Sequence, residues 1–258
     1  MVRIIATGVA GIIALAALSA CSNSNNNTAP LAGDLRVVNG VPDSNGLNSS
    51  INDASVASGT PFGQSSGLNA IPEGGYTVQL QTGNGNGGTL TGNANSVSID
   101  HNNITTVYAY GSVANANLAG FAAEESVAPP SSSTNFVLQF ADAAYAATGS
   151  GSGSLNVIMV APGSGIGGVT PTAVPFGHAT TAGNVAAGTY EIIVTDGGGA
   201  TVYDSGPAGI ALPPTNTNVV QIGIVDTSAA QLQQYGSGVA LILLDNNGGQ
   251  QLLFAGQH

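Results

Sequence analysis

The chain is predicted to be all-β, with two tandem sandwich domains behind a signal peptide and a flexible tether. Three observations predict this. Apolar residues recur at every second position over most of the 258 residues, clusters of Gly, Asn and Asp punctuate these runs, and short motifs return 114 residues further on. Successive side chains of a strand face opposite sides of its sheet, so period two marks a strand with one face buried.

Residues 1–20 read as an export signal. Arg3 gives a short basic start, and the apolar run from Ile4 to Ala20 is too short and too interrupted for a spanning helix, which needs about 20 strongly apolar residues. The run closes on Leu18-Ser19-Ala20-Cys21, the shape of a lipobox, and Cys21 is the single cysteine of the chain. The expectation is a lipoprotein signal peptide over 1–20, lipidation of Cys21, and a flexible tether over 21–33 that is rich in Ser and Asn and has no apolar period. Ser22 follows the cysteine, a pattern that fits sorting to the outer membrane and anchoring through lipid.

Beyond the tether, Tyr76, Val78 and Leu80 alternate with Thr77, Gln79 and Gln81, and Tyr190, Ile192 and Val194 repeat the pattern. Further strand candidates are 35–39, 96–100, 104–110, 135–140, 155–160, 218–225, 238–244 and 250–254. Asn39-Gly40, Asn45-Gly46, the 83–88 glycine cluster, Asp196-Gly197 and Asp245-Asn246-Asn247-Gly248 supply turns between them. Helix signals are thin and confined to 116–125 and 228–235.

The repeat sets the domain plan. Pro61-Phe62-Gly63-Gln64 is matched by Pro175-Phe176-Gly177-His178, and Ile71, Gly74 and Tyr76 by Val185, Gly188 and Tyr190. One duplicated β-domain follows: residues 34–128 and 135–258, joined by a linker at 129–134. Residues common to both copies are expected to serve the fold, the glycines as turn conformers and the tyrosines as core anchors.

The motifs of the first copy resemble a known family. Arg36-Val37-Val38-Asn39 with Pro42-Asp43, then Pro61-Phe62-Gly63, then Ile71-Pro72-Glu73-Gly74-Gly75-Tyr76, is similar to the bacterial family called domain of unknown function 4397. The second copy keeps the tyrosine motif but shows Phe136-Val137-Leu138-Gln139-Phe140-Ala141-Asp142 where the first motif would stand, a degenerate copy. The resemblance implies immunoglobulin- or transthyretin-like sandwiches on secreted and surface-anchored proteins, and it brings no activity, cofactor or catalytic residue.

Composition narrows the chemistry. Without residues 1–20, Arg36 is the one basic side chain against thirteen acids, a charge of −12 with histidines neutral. Nucleic acid and nucleotides are excluded as partners, because neutralising phosphates takes several Lys or Arg. Gly83–Gly88 and Gly163–Gly168 both match G-x-G-x-x-G, yet prolines at 171 and 175, not a helix start, follow the second, and 38 glycines make such matches expected. His101, His178 and His258 have no ligand spacing, so no metal site is assigned. Asp43 to Asp53 and Asp245 to Gly248 place oxygens as calcium would use them, but Asx-Gly turns account for both. Glu124-Glu125 is the one adjacent acid pair, and no catalytic constellation is found.

The expected function is that of a lipid-anchored cell-envelope protein, at the outer membrane, acting as a non-catalytic binding, adhesion or structural module. A surface polymer, a glycan or an envelope protein is the expected partner, and the membrane is reached through the anchor. The alternatives are a periplasm-facing partner in envelope assembly, or a hydrolase in which His178 would be the first residue to test.

Overall fold

The structure is a computed structural model that describes residues 30–83, 88–126, 130, 132–148, 153–214 and 217–256. The first eight strands are β1 (Ala32–Asn39), β2 (Leu47–Ile51), β3 (Ala54–Thr60), β4 (Asn69–Pro72), β5 (Gly74–Gly83), β6 (Thr89–Ile99), β7 (Asn103–Ser112) and β8 (Asn117–Ser126). They pair as an outer sheet, β3-β2-β5-β6, and an inner sheet, β4-β1-β7-β8. Then follow β9 (Asn135–Ala143), β10 (Ser154–Val160), β11 (Thr172–Pro175), β12 (Gly183–Ala186), β13 (Gly188–Thr195), β14 (Thr201–Asp204), β15 (Ile210–Leu212), β16 (Val219–Asp226), helix α1 (Ala229–Tyr235), β17 (Val239–Asp245) and β18 (Gln250–Leu253). Their inner sheet runs β12-β9-β16-β17-β18, and their outer sheet β11-β10-β13-β14, with β15 also on β13. Two pairings are parallel, β1 with β7 and β9 with β16.

The predicted all-β class is what the chain forms. The alternating runs at 76–81 and 190–195 fall in β5 and β13, with Val78, Leu80, Ile192 and Val194 turned into the cores. One helix candidate is realised. Ser228 caps α1 by accepting from Gln231 N–H while the Gln231 side chain returns a bond, and Gly236 closes the helix in the left-handed conformation. The other candidate, 116–125, is instead strand β8, held along ten residues by β7. Its alanines favour helix locally, but the ladder and the inward faces of Leu118 and Ala123 override that preference.

The four sheets stack in four layers. Leu35, Val37, Val78, Leu80, Val97 and Val107 fill the space between the first outer and inner sheets. Phe136, Leu155, Ile192, Tyr203, Ile222 and Leu241 fill the corresponding space in the C-terminal half. Each aliphatic side chain so removed from water contributes about 1.5–3 kcal/mol. The two inner sheets also meet face to face, through Val38, Tyr108 and Ala123 on one side and Ala141, Val225 and Ile242 on the other. This contact is close because Gly223 lies under Tyr108: a Cβ there would stand 2.3 Å from Tyr108 Cε1. With both of its faces covered, β16 is buried along its whole length, which explains its near-continuous apolar sequence.

A polar seam runs through that contact. Tyr108 Oη donates to Gln221 Oε1 at 2.8 Å, Gln221 Nε2 to Gln139 Oε1 at 2.6 Å, and Gln139 Nε2 to the Thr180 carbonyl at 2.9 Å. Beside it Arg36, only 1% exposed, donates to Glu125 Oε2 at 2.7 Å, to Thr106 Oγ1 at 2.8 Å and to the Asp245 carbonyl at 2.7 Å.

The paired motifs occupy matching places. Asn39 N–H donates to the Gln64 carbonyl while the Asn39 carbonyl accepts from Gly63 N–H; likewise Asp142 N–H donates to the His178 carbonyl and the Asp142 carbonyl accepts from Gly177 N–H. Gly63 and Gly177 both take φ of +72°, the left-handed turn conformation expected of them. Tyr76 and Tyr190 pack on their cores and each donates its hydroxyl four residues back, to Pro72 and Ala186 carbonyls at 2.8 and 2.7 Å. In β9, Gln139 and Asp142 stand where Arg36 and Asn39 stand in β1: each pair is three residues apart, and each member faces its parallel partner strand alike. The first motif, degenerate in this copy, thus keeps its positions while its residue types change.

Candidate functional site

On the first outer sheet, the residues that alternate away from the core are uncharged hydrogen-bonding groups. Strand register sets Asn48 beside Gln81 and Gln81 beside Thr91, then Ser50 beside Gln79 and Gln79 beside Asn93. Two rungs of amides and hydroxyls therefore cross β2, β5 and β6. They floor an open groove of about 620 Å³ in which, among the described residues, Asp53 is the one charged lining residue. Side chains on the floor hold one another in place: Ser50 Oγ donates to Gln79 Oε1 at 3.1 Å, and Asn48 Oδ1 accepts from Ser58 Oγ at 3.1 Å and Gly59 N–H at 2.8 Å. Asn52 and Asp53, at φ of 47° and 64°, form the tight turn that joins β2 to β3. Amides and hydroxyls can both donate and accept, so this floor suits a neutral polar ligand.

Thr91 also lines a second cleft, of about 310 Å³, with Tyr110, Asn117 and Tyr145. It sits where the two halves meet. Tyr110 on β7 stacks with Tyr145 in the loop after β9, their ring centres 6.0 Å apart, and meets Phe176 edge-on at 4.8 Å. Burial, and then the neighbouring Tyr145, push the Tyr110 phenol above its ordinary range, so it stays protonated.

Three carboxyl groups with raised pKa values, Glu125, Asp142 and Asp226, lie elsewhere and line neither cleft. Burial raises Glu125 while its partner Arg36 opposes the shift. Burial pushes Asp142 up to about 7, the Ala144 and Leu155 N–H groups oppose this, and the charge of Asp226 adds to it. Among the described residues, Asp142 Oδ2 has no partner at hydrogen-bonding geometry. Asp226 is raised by burial, although it accepts Ala146 and Ala147 N–H groups at 2.8 and 3.0 Å.

The residues singled out from sequence scatter. Cys21 and His258 lie outside the described residues, as do 84–87 of the first glycine motif. The second glycine motif is a loop that runs into strand β11, and Gly163 N–H donates to Glu191 Oε2 at 2.8 Å, so a carboxylate takes the place a phosphate would need. His101 is exposed and lies 3.1 Å from Glu73; His178 is exposed, and its backbone carbonyl ties down Asp142. Asp43 accepts from Ser112 Oγ, Val113 N–H and Ala114 N–H, tying two loops together. Asp245 Oδ1 accepts from Asn247 and Gly249 N–H groups, a turn of the kind expected. Glu124 and Glu125 point to opposite faces of β8, the first exposed and the second buried against Arg36. The sequence reading missed the rungs and the tyrosine cleft. The exposed phase of β5, Gln79 and Gln81, was a usable signal, whereas Tyr110 and Tyr145 had none.

A family model described as domain of unknown function (DUF4397) matches residues 33–149, which cover β1 to β8 and run on through β9. No curated protein matches the chain. Among solved structures, a candidate adhesin from Bacteroides ovatus aligns with 93% of this chain and 100% of its own at 11% identity, with a TM-score of 0.26. A superposition that loose bears on neither fold nor function.

Proposed function

We propose that this chain is a lipid-anchored cell-envelope protein, held at the outer membrane through Cys21, that works as a non-catalytic binding or adhesion module. On this reading two copies of one β-sandwich, 34–128 and 135–258, have been fused into a single body. The like strand orders, the parallel pairs β1–β7 and β9–β16, and the matched ties of Asn39 and Asp142 support the duplication. One observation carries the binding role: the open groove presents two rungs of neutral hydrogen-bonding side chains, while the three acids with raised pKa values line neither cleft. A general acid or base must reach its substrate through an open cleft, and these three acids line neither of the two described.

Two measurements test the reading. Labelling with radioactive palmitate should tag the wild type and leave Cys21→Ser unlabelled; equal labelling of both would refute the anchor. Proteinase K treatment of intact cells should then remove the domains while a periplasmic control survives. Trypsin would not serve, since Arg36 is the one basic residue beyond the signal peptide and is buried. Survival of the domains until the outer membrane is broken would place the module inside the envelope and remove adhesion.

A further inference from the structure

We propose that the rungs on the first outer sheet are a binding site for a neutral polysaccharide, whose chain lies across β2, β5 and β6 and runs over Thr91 toward Tyr110 and Tyr145. This rests on the reading of the protein as a binding module and names its ligand class. The first ground is chemical. Asn48, Ser50, Gln79, Gln81, Thr91 and Asn93 offer paired donors and acceptors over three strands about 4.8 Å apart. That patch is about the footprint of a disaccharide, and sugar hydroxyls likewise both donate and accept.

The second ground is a contrast inside the molecule. Register places Ile158 and Ile193, paired across β10 and β13, where the first outer sheet has Ser50 and Gln79. Both isoleucines are buried, at 5% and 6% exposure. The same arrangement of strands thus accepts an aliphatic pair at these positions, so the fold does not require the polar rungs. The third ground is electrostatic. The chain carries −11, which repels anionic polymers, and the groove lining adds no cation to attract them. The fourth is the adjoining cleft, lined by Tyr110 and Tyr145, whose rings are held by packing on one another and on Phe176, so that amphipathic side chains stand fixed beside Thr91.

Native gels cast with laminarin, galactomannan or dextran, with alginate as the anionic comparison, read the affinity directly as retardation. The wild type should be retarded by at least one neutral polymer and not by alginate. Gln79→Ala/Gln81→Ala should weaken that retardation at least tenfold, and Ser50→Ile/Gln79→Ile should abolish it at an unchanged melting temperature. Gln233→Ala, on exposed α1, should behave as wild type. Lack of retardation by all three neutral polymers overturns the proposal, as does retardation by alginate alone or retardation that both double variants leave intact. Sedimentation with isolated envelope fragments separates the two levels. A protein that binds fragments but no neutral polymer loses this site and keeps the module; one that binds neither loses both.

Discussion

Asp142→Asn is the most searching single substitution. The side chain is fully buried at the end of β9, where Oδ1 accepts Ala144 N–H at 2.9 Å and Oδ2 makes no hydrogen bond to any described residue. Its counterpart Asn39 uses the same frame completely: Oδ1 accepts Val41 N–H, and Nδ2 donates to Ser44 Oγ and the Thr60 carbonyl. Burial lifts Asp142 from 3.8 to about 7. Between those values the folded protein keeps a proton that the unfolded chain releases, so stability is fully present below 3.8 and falls as pH rises through 7. The whole interval corresponds to about 4 kcal/mol. Asparagine cannot ionise, so the variant should match the wild type near pH 4 and exceed it by up to about 4 kcal/mol at pH 8. A shallower slope should persist in the variant, because Glu125 and Asp226 are raised by burial as well. Urea titrations followed by far-ultraviolet circular dichroism at intervals from pH 4 to 8.5 measure the difference. A stability gap that does not change with pH, or a variant less stable than wild type at pH 8, would refute the reasoning.

Arg36→Leu should cost about 3–5 kcal/mol in urea unfolding, because it strands the fully buried Glu125 carboxylate; Arg36→Leu/Glu125→Leu should recover most of that loss. Gly223→Ala drives a methyl into the Tyr108 ring across the seam and should lower stability by about 1–3 kcal/mol, seen as an earlier thermal transition. Asp43→Ala should cost about 1 kcal/mol at pH 7 by untying the two loops. Burial alone would raise the Asp43 pKa, but the bonds from Ala114, Val113 and Ser112 hold it below 3.8. Its contribution is therefore present above that pH and lost in acid, so the variant should show a smaller acid-induced decline than wild type.

Much of the fold was legible along the chain. Alternation located β5 and β13, and the unbroken apolar runs at 218–225 and 238–244 located β16 and β17. Those unbroken runs also held a clue that strand assignment alone left unused: a strand apolar on both phases needs cover on both faces. Strands β2 and β3 were missed because Leu47–Thr60 is mostly Ser, Asn, Ala and Gly, residues with low strand preference that pairing with β5 recruits. The Gln139–Asp142 motif escaped because its spacing survived while both residue types changed.

By itself the sequence determined the strand class, the turn positions, the repeated Pro-Phe-Gly and Gly-x-Tyr motifs, and the near-absence of fixed positive charge. Each of these is a local property, written in the period of neighbouring side chains or in composition. Only the tertiary structure decided what Arg36 and the tyrosines do. Arg36 meets the Asp245 carbonyl across 209 positions, and Tyr108 meets Gln221 across 113. It also decided that the exposed phase of three separate strands would align into rungs. Partners brought together by sheet register, or by one sheet packing on another, share no spacing in the chain, so no periodicity announces them.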